Sequence, residues 1–211
     1  MSINEDGTVI ALSQSEYSGQ VRVFKQVEQS WIQLGNDLSE NHNNDNYGYS
    51  VSLNSSGNIL AVLERDNNIV YCYTWNGNTW FQRATINMYY SSNFYEVVLD
   101  ATGDNLAVSS GSGYSRIYQW TGTEYVLLID DLPNVNSRNQ IALSNDGAII
   151  AFGNPTVNSS HTGVYLNFSN NNVSDIYWEI TEEYDNIISS GENENQEICI
   201  PQGCFTITGY D

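Results

Sequence analysis

Leu53-Asn54-Ser55-Ser56-Gly57-Asn58-Ile59-Leu60-Ala61 decides the fold, because its pattern returns along the chain. An apolar residue, a Gly four positions on and an Ala four positions after that stand also at Ile3, Gly7, Ala11, at Leu99, Gly103, Ala107, and at Leu143, Gly147, Ala151. The glycines lie 50, 46 and 44 residues apart. Each follows short turn-forming residues, Glu5-Asp6, Ser55-Ser56, Ala101-Thr102 and Asn145-Asp146, so each reads as a tight hairpin in which Gly supplies a positive φ.

A second pair of positions keeps the same rhythm. Phe24 and Trp31, Tyr73 and Trp80, and Tyr118 and Tyr125 are each seven residues apart with polar turn material between. The segments before the first aromatic, Val21–Phe24, Val70–Tyr73 and Arg116–Tyr118, are β-branched or aromatic and predict strands. A fourth unit keeps strand character in Gly163–Phe168 and Ile176–Ile180, with Asn170 to Asn172 lengthening the turn. The repeat boundaries fall at about 1–43, 44–90, 91–135 and 136–182.

Four short strands in a period of 44 to 50 residues predict an all-β chain. The period matches a β-propeller of about four four-stranded antiparallel blades. A β-sandwich also has short strands but gives no reason for the same apolar, Gly and Ala positions to recur. The alanines are expected where neighbouring blades converge, with Trp31, Trp80, Tyr125 and Trp178 filling the space between sheets. Either a C-terminal strand such as Asp185–Ile188 completes the first blade of a four-bladed ring, or the chain is an open arc of a larger ring. An uncapped arc exposes a sheet face and unpaired edges.

Composition narrows the function. The 211 residues carry 6 Lys plus Arg against 25 Asp plus Glu, a net charge of −19, whose field repels phosphate backbones and anionic lipid. Neither nucleic-acid binding nor membrane insertion is expected, since no run approaches the roughly 18 apolar residues of a spanning helix. Met1–Asp6 has neither the basic start nor the apolar run of a signal peptide. The chain starts partway through a repeat unit, which leaves room for a leader upstream.

The chemistry-bearing residues are few. Cys199 and Cys204 flank the turn-forming Ile200-Pro201-Gln202-Gly203 and form a candidate local disulfide, whereas Cys72 lies in the apolar run Ile69–Tyr73 and reads as a small buried hydrophobe. Two histidines, His42 and His161, stand in polar stretches with no nucleophile-elbow motif, so no catalytic residue is assigned. Sequons at Asn54, Asn158, Asn167 and Asn172 are candidate glycosylation sites. Asn4-Glu5-Asp6-Gly7 and Asn145-Asp146-Gly147 lack the alternating carboxylates of a calcium loop and read as turn chemistry, so no cofactor and no metal ligand is assigned. The aromatic cluster Asn87–Tyr95 is the richest candidate surface, with Tyr89 and Tyr90 as sugar contacts and Phe94 packed between blades.

Trp31-Ile32-Gln33-Leu34-Gly35-Asn36-Asp37-Leu38 followed by Asp45-Asn46-Tyr47-Gly48-Tyr49-Ser50-Val51-Ser52-Leu53 resembles the FG-GAP-like, integrin-type propeller repeats of large extracellular proteins, notably of unicellular algae. The resemblance covers about residues 2 to 182. It departs at Asn93–Glu96 and Arg138–Gln140, where the Phe-Gly-x-Ser core is replaced. It implies a non-enzymatic extracellular or cell-surface domain for adhesion, scaffolding or protein interaction, with a lectin-like propeller as the alternative, and hence a protein or polysaccharide partner. Residues 183–198 read as an acidic linker, and Cys199–Asp211 resembles the opening of a small Cys-containing β module of similar proteins, truncated here.

Overall fold

The computed structural model describes residues 1–14, 19–39, 46–88, 94–110, 114–133, 140–153, 161–164, 177–182, 187–192, 198–201 and 205–210, all in strands, turns and loops. The first sheet comprises β1 (Ser2–Ile3), β2 (Val9–Gln14), β3 (Gln20–Val27) and β4 (Ser30–Gln33). The second comprises β5 (Tyr47–Leu53), β6 (Ile59–Glu64), β7 (Ile69–Trp75) and β8 (Trp80–Asn87), and the third β9 (Phe94–Leu99), β10 (Asn105–Ser110), β11 (Tyr114–Trp120) and β12 (Tyr125–Pro133). In each, strands pair antiparallel in chain order. Every connection is therefore a hairpin, as the repeated turn signals require.

The sheets stack side by side through apolar layers. Val9, Ala11, Val21 and Val23 of the first sheet pack with Leu60, Val62, Tyr73 and Trp80 of the second. Ala61, Leu63, Val70 and Cys72 on the other side of the second sheet pack with Phe94, Leu106, Val108 and Tyr125 of the third. Alternate residues of one strand serve opposite layers, because side chains along a strand point to opposite faces. Ala11, Ala61 and Ala107 on the second strand of each sheet are completely buried. Burial of Cys72 pushes its thiol up to about 12.

The conserved spacing has a steric cause at the turn. Gly57 and Gly103 adopt φ of +70° and +78°, and a Cβ on either would lie 2.8 Å from Val9 and 2.9 Å from Ile59 of the preceding sheet. Gly147 stands in the same relation to Asn105. The missing Cβ thus admits the neighbouring sheet as well as the left-handed turn.

Several features differ from the sequence-based expectations. Trp80 and Tyr125 are buried between sheets, but Trp31 at the equivalent position is 44% exposed, because among the described residues no sheet stands against that side of the first one. Trp178 has no described side chain. Among the described residues the fourth unit shows one hairpin of its own, β13 (Gln140–Leu143) with β14 (Ile150–Gly153). After it, β15 (His161–Val164) pairs with β18 (Ile198–Pro201), and β16 (Tyr177–Glu182) lies between β17 (Ile187–Glu192) and β19 (Phe205–Tyr210). The segment read as a linker therefore contains a strand, nucleated by Ile187 and Ile188, and the Cys-containing segment pairs back onto the chain. His161 sits in a strand rather than a loop.

Gly57→Ala is expected to cost about 1–3 kcal/mol more than Gly77→Ala, whose φ is also positive but whose surroundings are open, because only the former overpacks a neighbouring sheet. Urea unfolding of both variants measures the difference, and equal losses would remove the inter-sheet contact as the reason for the repeat glycine.

Candidate functional site

The first strands of successive sheets, β1, β5 and β9, lie next to one another and leave backbone amides along their edges. Side chains of the preceding sheet accept them. The Leu53 amide donates to Ser2 Oγ at 3.0 Å, the Leu99 amide to Ser52 Oγ at 2.9 Å, and the Val97 amide to Ser50 Oγ at 3.2 Å. In the third sheet Glu96 takes the place of Ser50, and its Oε2 accepts the Ile141 amide at 2.8 Å. Unpaired edge donors would otherwise cost free energy or recruit another strand.

These strands line a groove of about 500 Å³ bounded by Met1, Ser2, Tyr49–Ser52 and Tyr95–Val98. At its side Arg65 places its guanidinium 4.8 Å from the centre of the Tyr49 ring and 4.7 Å from that of Tyr95. The two rings themselves meet edge to face, 6.0 Å apart. Arg65 Nη2 donates to the Tyr95 hydroxyl at 3.3 Å, while Nε is buried with no hydrogen-bond partner. A planar cation packed against two phenol rings that line the groove is held in one orientation. Glu96 adds a half-buried carboxylate, which burial pushes above the ordinary Glu range against the opposing Ile141 hydrogen bond.

Among the described residues no His or Cys lines the groove, and the hydroxyl oxygens of Ser2, Ser50 and Ser52 accept backbone amides of the next sheet. Among the described residues no group of three or more His, Cys, Asp or Glu is placed to hold a metal. Asp6 Oδ1 accepts from the Thr8 hydroxyl and amide, and Asp146 Oδ1 from the Ser144 hydroxyl and the Ala148 amide, which is turn chemistry and holds both carboxyls below their usual value.

Asn54, a candidate glycan acceptor, is only 3% exposed. Its Oδ1 accepts the Asn58 and Ile59 amides, and its Nδ2 reaches Ser56, Asn58 and the Thr102 carbonyl of the next sheet. In this fold the Asn54 amide is enclosed and serves the turn. Tyr89, Tyr90, Asn158, Asn167, Asn172, Cys204 and His42 lie outside the described residues, as does the side chain of Cys199. Tyr49, Tyr95, Arg65 and Glu96 were not singled out from the sequence. A signal was present: Tyr49 and Tyr95 both stand eight residues before a repeat glycine.

Because the fold holds Glu96 above its ordinary value, it favours the protonated form, and the cost to stability grows as pH rises past the ordinary Glu value and is complete above the raised one. Glu96→Gln keeps an oxygen for the Ile141 amide and is expected to raise Tm relative to wild type at pH 7, with the gain vanishing below about pH 4. A gain that is the same at both pH values would show that charge is not its origin.

No family model and no curated protein sequence matches the chain. A solved structure described as the complex of KlAtg21 with the coiled-coil of AgAtg16 is similar over 90% of this chain, with a TM-score of 0.59 at 15% identity. The chain spans 57% of that neighbour's length. At that identity the likeness extends to the fold alone: an all-β array of repeated antiparallel sheets.

Proposed function

We propose that this chain is a non-enzymatic β-propeller-type repeat domain of an extracellular or cell-surface protein, serving adhesion or scaffolding by binding a protein ligand in the inner-strand groove. The observation that carries it is the Arg65 guanidinium fixed between Tyr49 and Tyr95, two rings that line the groove. The side-by-side sheets with the same register and turn in each unit support the propeller geometry. Aromatic and Arg side chains at a partly desolvated site are what protein hot spots use. The Arg65 donors suit a carboxylate or a backbone carbonyl of an extended peptide.

A carbohydrate ligand is the second reading, favoured by the half-exposed Tyr49 ring with Ser50 and Glu96 along the same strands. Sugars use an aromatic face together with carboxylate and hydroxyl partners, and the groove has all three.

Panning a random peptide display library against the wild-type chain is expected to return binders whose affinity falls at least about ten-fold with Arg65→Ala or Tyr95→Ala, on the order of one charge-assisted contact. Binders indifferent to both substitutions would place the interaction elsewhere. Retention on a panel of polysaccharide resins, lost with Tyr49→Ala, would instead favour the sugar reading.

A further inference from the structure

The first sheet exposes the side that the second and third sheets bury. Ile3 is 59% exposed, and Leu12 and Trp31 are exposed with it. Their repeat equivalents are Leu53, Val62 and Trp80 in the second sheet and Leu99, Val108 and Tyr125 in the third, all buried. The sequence keeps these positions apolar in all three units. What differs is whether a sheet stands in front of them.

The turn glycines show what belongs there. Gly57 receives Val9, Gly103 receives Ile59 and Gly147 receives Asn105, in each case the residue two positions after the glycine of the preceding sheet. Gly7 has the same left-handed φ, +74°, but among the described residues its slot meets only Ile3 of its own sheet, at 3.9 Å. The next residue in the donating series is Ile149, two positions after Gly147, and it is 37% exposed. The backbone contacts form the same progression: the Glu5 amide donates to the Ser55 carbonyl, Ser55 to Ala101, and Ala101 to Asn145. Continued once more, the progression joins the Asn145 amide to a Glu5 carbonyl.

We propose that a second copy of this chain docks head to tail, its Ile149 turn entering the Gly7 slot and its fourth-unit hairpin covering the Ile3, Leu12 and Trp31 face. A second copy is the occupant because both halves of the junction stand exposed on this chain, and three internal junctions demonstrate that the two halves fit. The contact is heterologous, so copies close into a ring where the rotation permits and extend as a filament where it does not. The net charge of −19 opposes approach of two copies at long range, so added salt strengthens the association.

Sedimentation velocity of the whole chain over a range of concentrations, at low and high salt, tests this with two single variants. Gly7→Asn keeps a residue that tolerates positive φ while filling the slot, and Ile149→Glu places a charge on the opposite end. Each alone is expected to weaken self-association at least ten-fold. Mixing them is expected to restore one competent junction and give a 1:1 dimer that grows no further, since the first variant retains its tail and the second its head. If Gly7→Asn loses its far-UV circular dichroism, Trp31→Glu replaces it on the same face. A wild-type chain that stays monomeric at high salt would overturn the proposal and mean that residues of the same chain cover the face. Self-association of Ile149→Glu undiminished from wild type would overturn it in favour of a head-to-head contact.

Discussion

The whole arrangement depends on one junction, repeated at each turn between the first two strands of a sheet. There a backbone amide crosses to a carbonyl on the next sheet's turn, as from Ser55 to Ala101 at 3.1 Å, beside a glycine whose absent Cβ accommodates the neighbour's side chain. A single such hydrogen bond contributes only about 1 kcal/mol. Its importance is positional, because it sets the height at which two sheets meet and therefore which residues of β2, β6 and β10 face which layer. Once that height is set, the alanines fall where the sheets come together and Trp80 reaches across to donate to the Leu34 carbonyl at 3.1 Å.

Stacked sheets create a second requirement: polar backbone at turns and inner edges must be satisfied without water. One position serves this at the start of each turn. Asn4, Asn54 and Asp100 each turn a side-chain oxygen back onto later amides of their own turn, and Ser144 does the same with a hydroxyl. Asn4 and Asn54 also send their Nδ2 to a carbonyl of the following sheet. The sequon at Asn54 is thus a by-product of a turn that needs an amide with both a donor and an acceptor. The groove arises from the same economy, its hydroxyl lining being the set of acceptors that terminate the inner edges.

The sheets themselves were legible in the sequence because sterics and left-handed backbone at Gly7, Gly57, Gly103 and Gly147 leave little choice of residue. The exposure of Trp31 was not, since an aromatic at an inter-sheet position reads the same whether or not a partner sheet is present. The pairings of β15 to β19 escaped for another reason: they join segments distant in sequence, and no periodic signal reports a non-local register. Arg65 was invisible as a site residue because its role comes from two tyrosines 46 residues apart that only the stacking brings together. Tyr89 and Tyr90 attracted notice by local density, which carries no information about what faces what.

Cys72 lies sealed in the layer between the second and third sheets, near Tyr125, with its thiol pushed far from ionisation. The thiol is the inert form at neutral pH, and the closed layer shields it completely. The chain therefore carries an internal clock of sheet separation. Alkylation of Cys72 waits on one sheet leaving its neighbour and so reports that event without any label being built in.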